Sequence, residues 1–165
     1  MGSGEDVTDS EAVDVSVQGD HRGRVSSLSE GSGAATPREV RILLVDDHAL
    51  VRRTMARMLR GLDCQVHECP SGPDALEALG HGTFDLMLLD RSMPGMGGVE
   101  VLQALRGQPE LRGATYIAVV SAWAGEDRAQ MYELGADAVL SKPLFEEDVE
   151  PILVQLRDRA ESGDR

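Results

Sequence analysis

Four short apolar runs in this chain each lead into a polar residue, and the stretches between successive runs are long enough to hold a helix. VRILLV (40–45) leads into Asp46 and Asp47, FDLMLLD (84–90) closes on Asp90, TYIAVVSA (115–122) carries Ser121, and DAVLS (137–141) leads into Lys142 and Pro143. A fifth run, CQVHEC (64–69), alternates and ends at Pro70. Helical spacing fills the gaps: 48–62, with Leu50 or Val51, Met55, Met58, Leu59 and Leu62 on one face; 71–82, opened by Ser71 and Pro73 and ending near Gly80; 98–107; 125–135; and about 146–160. Parallel strands need crossovers, and these are helix-sized. Five strands alternating with five helices therefore predict an α/β fold, a doubly wound parallel sheet covered on both faces. Pro151 falls about one turn inside the last helix, so that helix should kink there or start later.

In an open α/β sheet, ligands sit beyond the carboxyl ends of the strands. If the strands are ordered 2-1-3-4-5, the first and third are neighbours, and Asp46, Asp47 and Asp90 then converge, flanked by Ser121 and Lys142. Two unit charges about 4 Å apart at an effective dielectric of 20 repel by about 4 kcal/mol. Such a site calls for a cation or for protonation. Oxygen ligands alone suit a hard ion, and Mg²⁺ binds through one or two carboxylates while leaving room for a phosphate oxygen. Lysine supplies a point charge and serine a donor for the same phosphoryl group. Together they suit nucleophilic catalysis through an aspartyl phosphate. Taken singly, an Asp-Asp pair also caps helices and an Asp before Pro-Gly also makes turns; the conjunction at four strand ends is what marks a site. Lys142 is the only lysine among 16 basic residues.

Composition narrows the partners. A net charge of −13 and the lack of a basic stripe argue against nucleic acid and for a protein partner or a cation. No apolar run approaches a membrane span, and the acidic start MGSGEDVTDSE is unlike a signal peptide, so the expected location is cytoplasmic. Cys64 and Cys69 match neither a CxxC pair nor a zinc knuckle and read as reduced, small apolar residues. Residues 1–37, rich in Gly, Ser, Asp and Glu, read as a disordered acidic tail; 38–160 as the folded domain; and 161–165 as a short C-terminal tail.

The motifs LLVDDH, LLDRSMPGMGG, VVSA and LSKP, in this order and spacing, resemble a receiver domain of a two-component response regulator over residues 40–160. The resemblance implies a flavodoxin-like (βα)5 sheet and a phosphorylation-dependent signalling switch rather than an enzyme acting on an outside substrate. It implies Asp90 as the phosphoacceptor, fed by a sensor histidine kinase or a histidine phosphotransfer protein. Mg²⁺ would be held by Asp47 and Asp90 directly, by Asp46 through water and by the backbone carbonyl of Ser92. Ser121 and Lys142 would contact the phosphoryl oxygens, and Met93, Pro94 and Gly98 would shape the loop after the acceptor. Ser121 would then shift its loop and bias the surface formed by the helix at 125–135, the strand at 137–141 and the last helix. The family usually has an aromatic switch residue three positions before the lysine; this chain has Val139, which leaves Trp123 as a candidate reporter. With only ESGDR after Ala160, a single-domain regulator is expected, acting on an unknown downstream protein or in a phosphorelay. Two rivals differ in class. A haloacid-dehalogenase-like phosphatase usually needs an aspartate two positions after the nucleophile, where this chain has Ser92. A pseudo-receiver binding partners constitutively would tolerate Val139 but has no need of the intact acidic set.

Overall fold

A computed structural model describes residues 39–122, 125 and 128–162. The elements run β1 (Val40–Val45), α1 (Ala49–Gly61), β2 (Cys64–Cys69), α2 (Gly72–His81), β3 (Leu86–Asp90), α3 (Gly98–Gly107), α4 (Pro109–Arg112), β4 (Tyr116–Ser121), α5 (Arg128–Glu133), β5 (Ala138–Ser141) and α6 (Glu146–Ser162). All strand pairs are parallel, in the order β2-β1-β3-β4-β5. This is the expected doubly wound sheet, with β1 and β3 side by side. The expected tails lie almost wholly outside the described residues.

Because successive residues of a strand face opposite sides, the sheet divides its own side chains between two cores. Leu43, Val45, Met87, Leu89, Ile117, Val119 and Val139 face a cluster that includes Ala75 and Leu79 of α2, Val101, Leu102 and Leu105 of α3, and Met131 of α5. Ile42, Leu44, Leu86, Leu88, Ala118 and Val120 face Met55, Ala56 and Leu59 of α1 and Val149, Ile152, Leu153 and Leu156 of α6. All five residues of β3 are buried, as a central strand covered on both faces requires.

Two expectations need correction, and one of the two alternatives for the last helix falls away. Among the described residues there are six helices, since Pro109–Arg112 forms one extra turn, opened by Pro109 and closed by Gly113 at φ 53°. One turn with no buried residue leaves no periodic signal to read. Leu50 and Val51 do not join the core of α1 and are 79% and 39% exposed. The inward stripe runs 52, 55, 56, 59, so its first position belongs to Arg52, whose guanidinium donates to the Asp46 carbonyl at 2.7 Å. The last helix starts at Glu146, ahead of Pro151, and continues through it. Proline has no N–H to donate to the Glu147 carbonyl, so that bond is forgone. Asp148 accepts from the Phe145 N–H at 2.9 Å, and three acidic residues in the first turn complement the helix dipole. A smaller difference is at α2, which runs one residue past Gly80; Ser71 caps its start by accepting from the Asp74 N–H at 3.3 Å.

The cysteines sit at the two ends of β2, both buried and free. Five residues apart, they face opposite sides of the sheet and cannot pair. Burial, helped by Asp74, pushes the Cys69 thiol up to about 11 from its ordinary 9.0. A raised folded value favours the folded state fully below pH 9.0, and that contribution is lost as pH rises through about 11. That difference corresponds to about 2–3 kcal/mol. The expected result is an alkaline loss of stability over that window that is smaller in Cys69→Ala, measured by urea melts at each pH. An unchanged alkaline limb in the variant would show that Cys69 plays no part.

Candidate phosphoryl and metal site

Four strand ends build the site. β1 hands the chain to Asp46 and Asp47, β3 ends on Asp90, β4 on Ser121, and β5 on Ser141 just before Lys142. Apolar strand interiors fix the backbones, and the carboxyl ends release the polar groups at one rim. Asp46, Asp90 and Ser121 are buried. The Lys142 Nζ lies 2.8 Å from Asp46 Oδ2 and 3.1 Å from Asp90 Oδ1, bridging the two carboxylates. The Lys142–Pro143 peptide is cis. Asp90 Oδ1 also accepts from the Ser92 N–H at 3.1 Å. Ligand atoms of Asp46, Asp47, His48 and Asp90 all lie within 4.8 Å of one another.

Of the residues expected from the sequence, Asp46, Asp47, Asp90 and Lys142 therefore come together, with Ser121 at the neighbouring strand end. Ser92 is at the rim, and its N–H is the group seen holding Asp90. His48 was missed. It follows the acidic pair directly, and its Nδ1 is 3.1 Å from Asp47 Oδ1, while its backbone N–H donates to Asp46 Oδ1 at 2.8 Å. A histidine adjoining two carboxylates was the available signal. Val139 is buried in the core on the α5 side of the sheet, and its carbonyl accepts from the Arg128 guanidinium at 3.0 Å. Trp123, the candidate reporter, lies outside the described residues.

The electrostatics follow from burial and pairing. Burial pushes the Asp90 carboxyl above its ordinary range; the Ser92 N–H and Lys142 oppose this, and Asp46 adds to it. Burial alone would lower Lys142, but its hydrogen bonds to Asp46 and Asp90 outweigh that and hold it above its ordinary value. Asp46, Asp47 and Asp90 against one lysine leave an excess of negative charge. A hard divalent cation fits that excess, and the donors within reach of it are oxygens plus one imidazole nitrogen.

The loop after Asp90 is held by close backbone contact. Gly98 N–H donates to the Arg91 carbonyl at 2.9 Å, and Gly97 N–H to Glu100 Oε2 at 3.0 Å. A Cβ on Gly97 would come within 2.8 Å of the Arg91 carbonyl oxygen, and one on Gly98 within 3.0 Å of the Asp90 carbonyl oxygen. Buried Met93 anchors the same loop, while Pro94 is exposed. Gly97→Ala should cost about 1–3 kcal/mol in urea melts, the usual range for overpacking, because backbone has to move. Stability equal to the parent would mean that the loop relaxes freely.

A parallel five-stranded sheet with acidic, hydroxyl and ammonium groups gathered at its carboxyl rim is the architecture of a receiver domain. The response regulator receiver domain family matches residues 42–153, and the chain belongs to that family. Among curated relatives, transcriptional activator protein PfeR of Pseudomonas aeruginosa is 38% identical over 104 residues, covering 62% of this chain and 33% of PfeR. Chemotaxis protein CheY-3 of Vibrio cholerae is 30% identical over 107 residues, covering 64% of this chain and 82% of CheY-3. The solved receiver domain of sensor histidine kinase PA1611 from Pseudomonas aeruginosa PAO1, with a magnesium ion in its active site cleft, aligns at TM-score 0.65 and 25% identity, covering 73% of this chain and 99% of that one. The chain spans 14%, 33% and 45% of the first three curated relatives it matches. Family membership supports phosphoryl-accepting signalling together with histidine kinases or phosphotransfer proteins, and a family site that binds Mg²⁺. Among the described residues, no helix is long and apolar enough to cross a membrane.

Proposed function

We propose that this domain is a phosphorylation-dependent switch whose acceptor is Asp90. The observation that carries the reading is the Asp90 carboxylate itself, aimed by the Ser92 N–H, 3.1 Å from the Lys142 ammonium and grouped with Asp46 and Asp47. An Asp90 oxygen attacks the phosphorus of a phosphohistidine on a sensor histidine kinase or a histidine phosphotransfer protein. The new O–P bond forms as the P–N bond breaks, and the donor imidazole leaves with the electron pair of that bond. Mg²⁺ would be held by Asp47, Asp90 and the Ser92 carbonyl, with Asp46 acting through water, and when bound it neutralises charge developing on the phosphoryl oxygens. Lys142 and Ser121 donate to those oxygens. Lys142 can leave its bridge between Asp46 and Asp90 to do so, since phosphorylation supplies it with a more highly charged acceptor.

The same reading makes Ser121 the switch: drawn toward the phosphoryl group, it shifts the loop that follows β4. Val139 is packed in the core, so the surface around α5, β5 and α6 has to be biased through that loop and not through a swinging side chain at 139. The folded domain proposed is 38–160, acting in the cytoplasm through a protein partner or a phosphorelay, as the acidic balance favours. The test is intact mass after incubation with Mg²⁺ and a small acyl phosphate. A base-labile phosphoryl adduct, or a stable beryllium fluoride complex where turnover is rapid, is the expected result. Neither under saturating donor would leave a protein-binding module that merely shares the fold.

A further inference from the structure

We propose that His48 is a fourth protein donor at the acidic site, its Nδ1 binding the ion beside Asp47, so that the site favours a first-row transition cation over Mg²⁺. The inference rests on the metal-binding reading above and adds to it a nitrogen ligand. Adjacent ligands of an octahedral ion with bonds near 2.1 Å stand about 3.0 Å apart. His48 Nδ1 and Asp47 Oδ1 are 3.1 Å apart, and the donors of Asp46 and Asp90 fall within 4.8 Å of both. The fold holds the backbones of the pair in place. Asp47 directly follows the last residue of β1, His48 is the N-cap residue of α1, and the His48 N–H is hydrogen-bonded to Asp46 Oδ1.

Coordination replaces whatever proton Nδ1 shares with Asp47, and the ring keeps its other proton on Nε2. The His48 side chain is 70% exposed, so Nε2 can remain in water and little desolvation opposes binding. Imidazole adds little to a site for Mg²⁺, which favours oxygen and sheds water reluctantly. It adds much more for Co²⁺, in line with the general rise in affinity along the first transition row. A histidine that only hydrogen-bonds Asp47 would support every ion equally, because it acts through a shared carboxylate.

The experiment measures Co²⁺ and Mg²⁺ affinity by calorimetry for the full chain and for His48→Ala, with electron spin-echo spectra of the Mn²⁺-loaded proteins. Expected are about a tenfold or greater loss of Co²⁺ affinity in His48→Ala with Mg²⁺ affinity unchanged, and a nitrogen coupling on Mn²⁺ that the substitution removes. Equal losses for both ions, or Mn²⁺ bound with no nitrogen coupling in the parent protein, would overturn the role of His48 while leaving the acidic site intact. Absence of binding by any of the three ions would instead remove the acidic-site reading, and this inference with it. The remaining three histidines are common to both proteins, so the difference between them reports His48 alone.

Discussion

Asp90→Asn should abolish labelling by an acyl phosphate and at the same time raise the melting temperature. The first effect removes the nucleophile while keeping the shape of the side chain. The second follows from the direction in which burial pushes the carboxyl. A carboxyl whose folded value lies above its unfolded one favours the folded state fully below the unfolded value, 3.8, and that contribution is lost as pH rises through the folded value. At neutral pH the ionised Asp90 therefore works against folding. Asparagine resembles the neutral form at every pH, and Lys142 keeps its shorter contact to Asp46. Thermal melts of parent and variant should differ by a few degrees at pH 7 and converge as pH falls toward 4. A variant less stable than the parent at pH 7 would mean that the bond to Lys142 and the Ser92 N–H outweigh burial.

Lys142→Met should show the reverse. Methionine keeps much of the volume of the stem but leaves Asp46 and Asp90 facing each other without the bridging cation. Removing one partner of a buried ion pair costs about 3–5 kcal/mol; Lys142 is 25% exposed, which places the expected loss nearer 2–3 kcal/mol. The folded Lys142 value is raised, so its contribution is complete below the ordinary 10.5 and fades as pH rises through the folded value. The penalty of the substitution should thus be full at pH 7, shrink at strongly alkaline pH, and shrink again in acid as Asp90 takes a proton. Mg²⁺ should stabilise the variant by about 1.4 kcal/mol at ten times its dissociation constant. Urea melts with and without Mg²⁺ measure both effects. A variant as stable as the parent in metal-free buffer would show that the bridge contributes nothing net. Labelling should also slow, since no cation would meet the phosphoryl oxygens.

These two residues illustrate what could be read from the chain and what could not. The apolar run 86–89 and Asp90 directly after it are adjacent in sequence, and a strand buried on both faces has a period simple enough to recognise. The alternation of strand and helix then leaves few topologies, because parallel crossovers are right-handed and pack on both faces. Those rules do not pick one order among the few: 2-1-3-4-5, and with it the convergence of the acidic residues, was the order implied by the resemblance to a receiver domain, and the structure has it. The first turn of α1 was not legible. Its apolar residues Leu50 and Val51 look outward because Arg52 takes the inward position and reaches the Asp46 carbonyl, a bond to a group outside the helix that helical periodicity cannot anticipate. Helix α4 was hidden for a different reason, since one turn bounded by Pro109 and Gly113 buries nothing.

By itself the sequence determined which residues stand at the strand ends, since hydrophobic period and punctuation are local. The tertiary structure alone decided how they meet: Lys142, 96 residues from Asp46, bridges it to Asp90, and His48 turns its ring nitrogen toward Asp47. Those relations depend on distances between strands that the parallel sheet makes neighbours or near neighbours, and no pattern within a single segment encodes a distance to another.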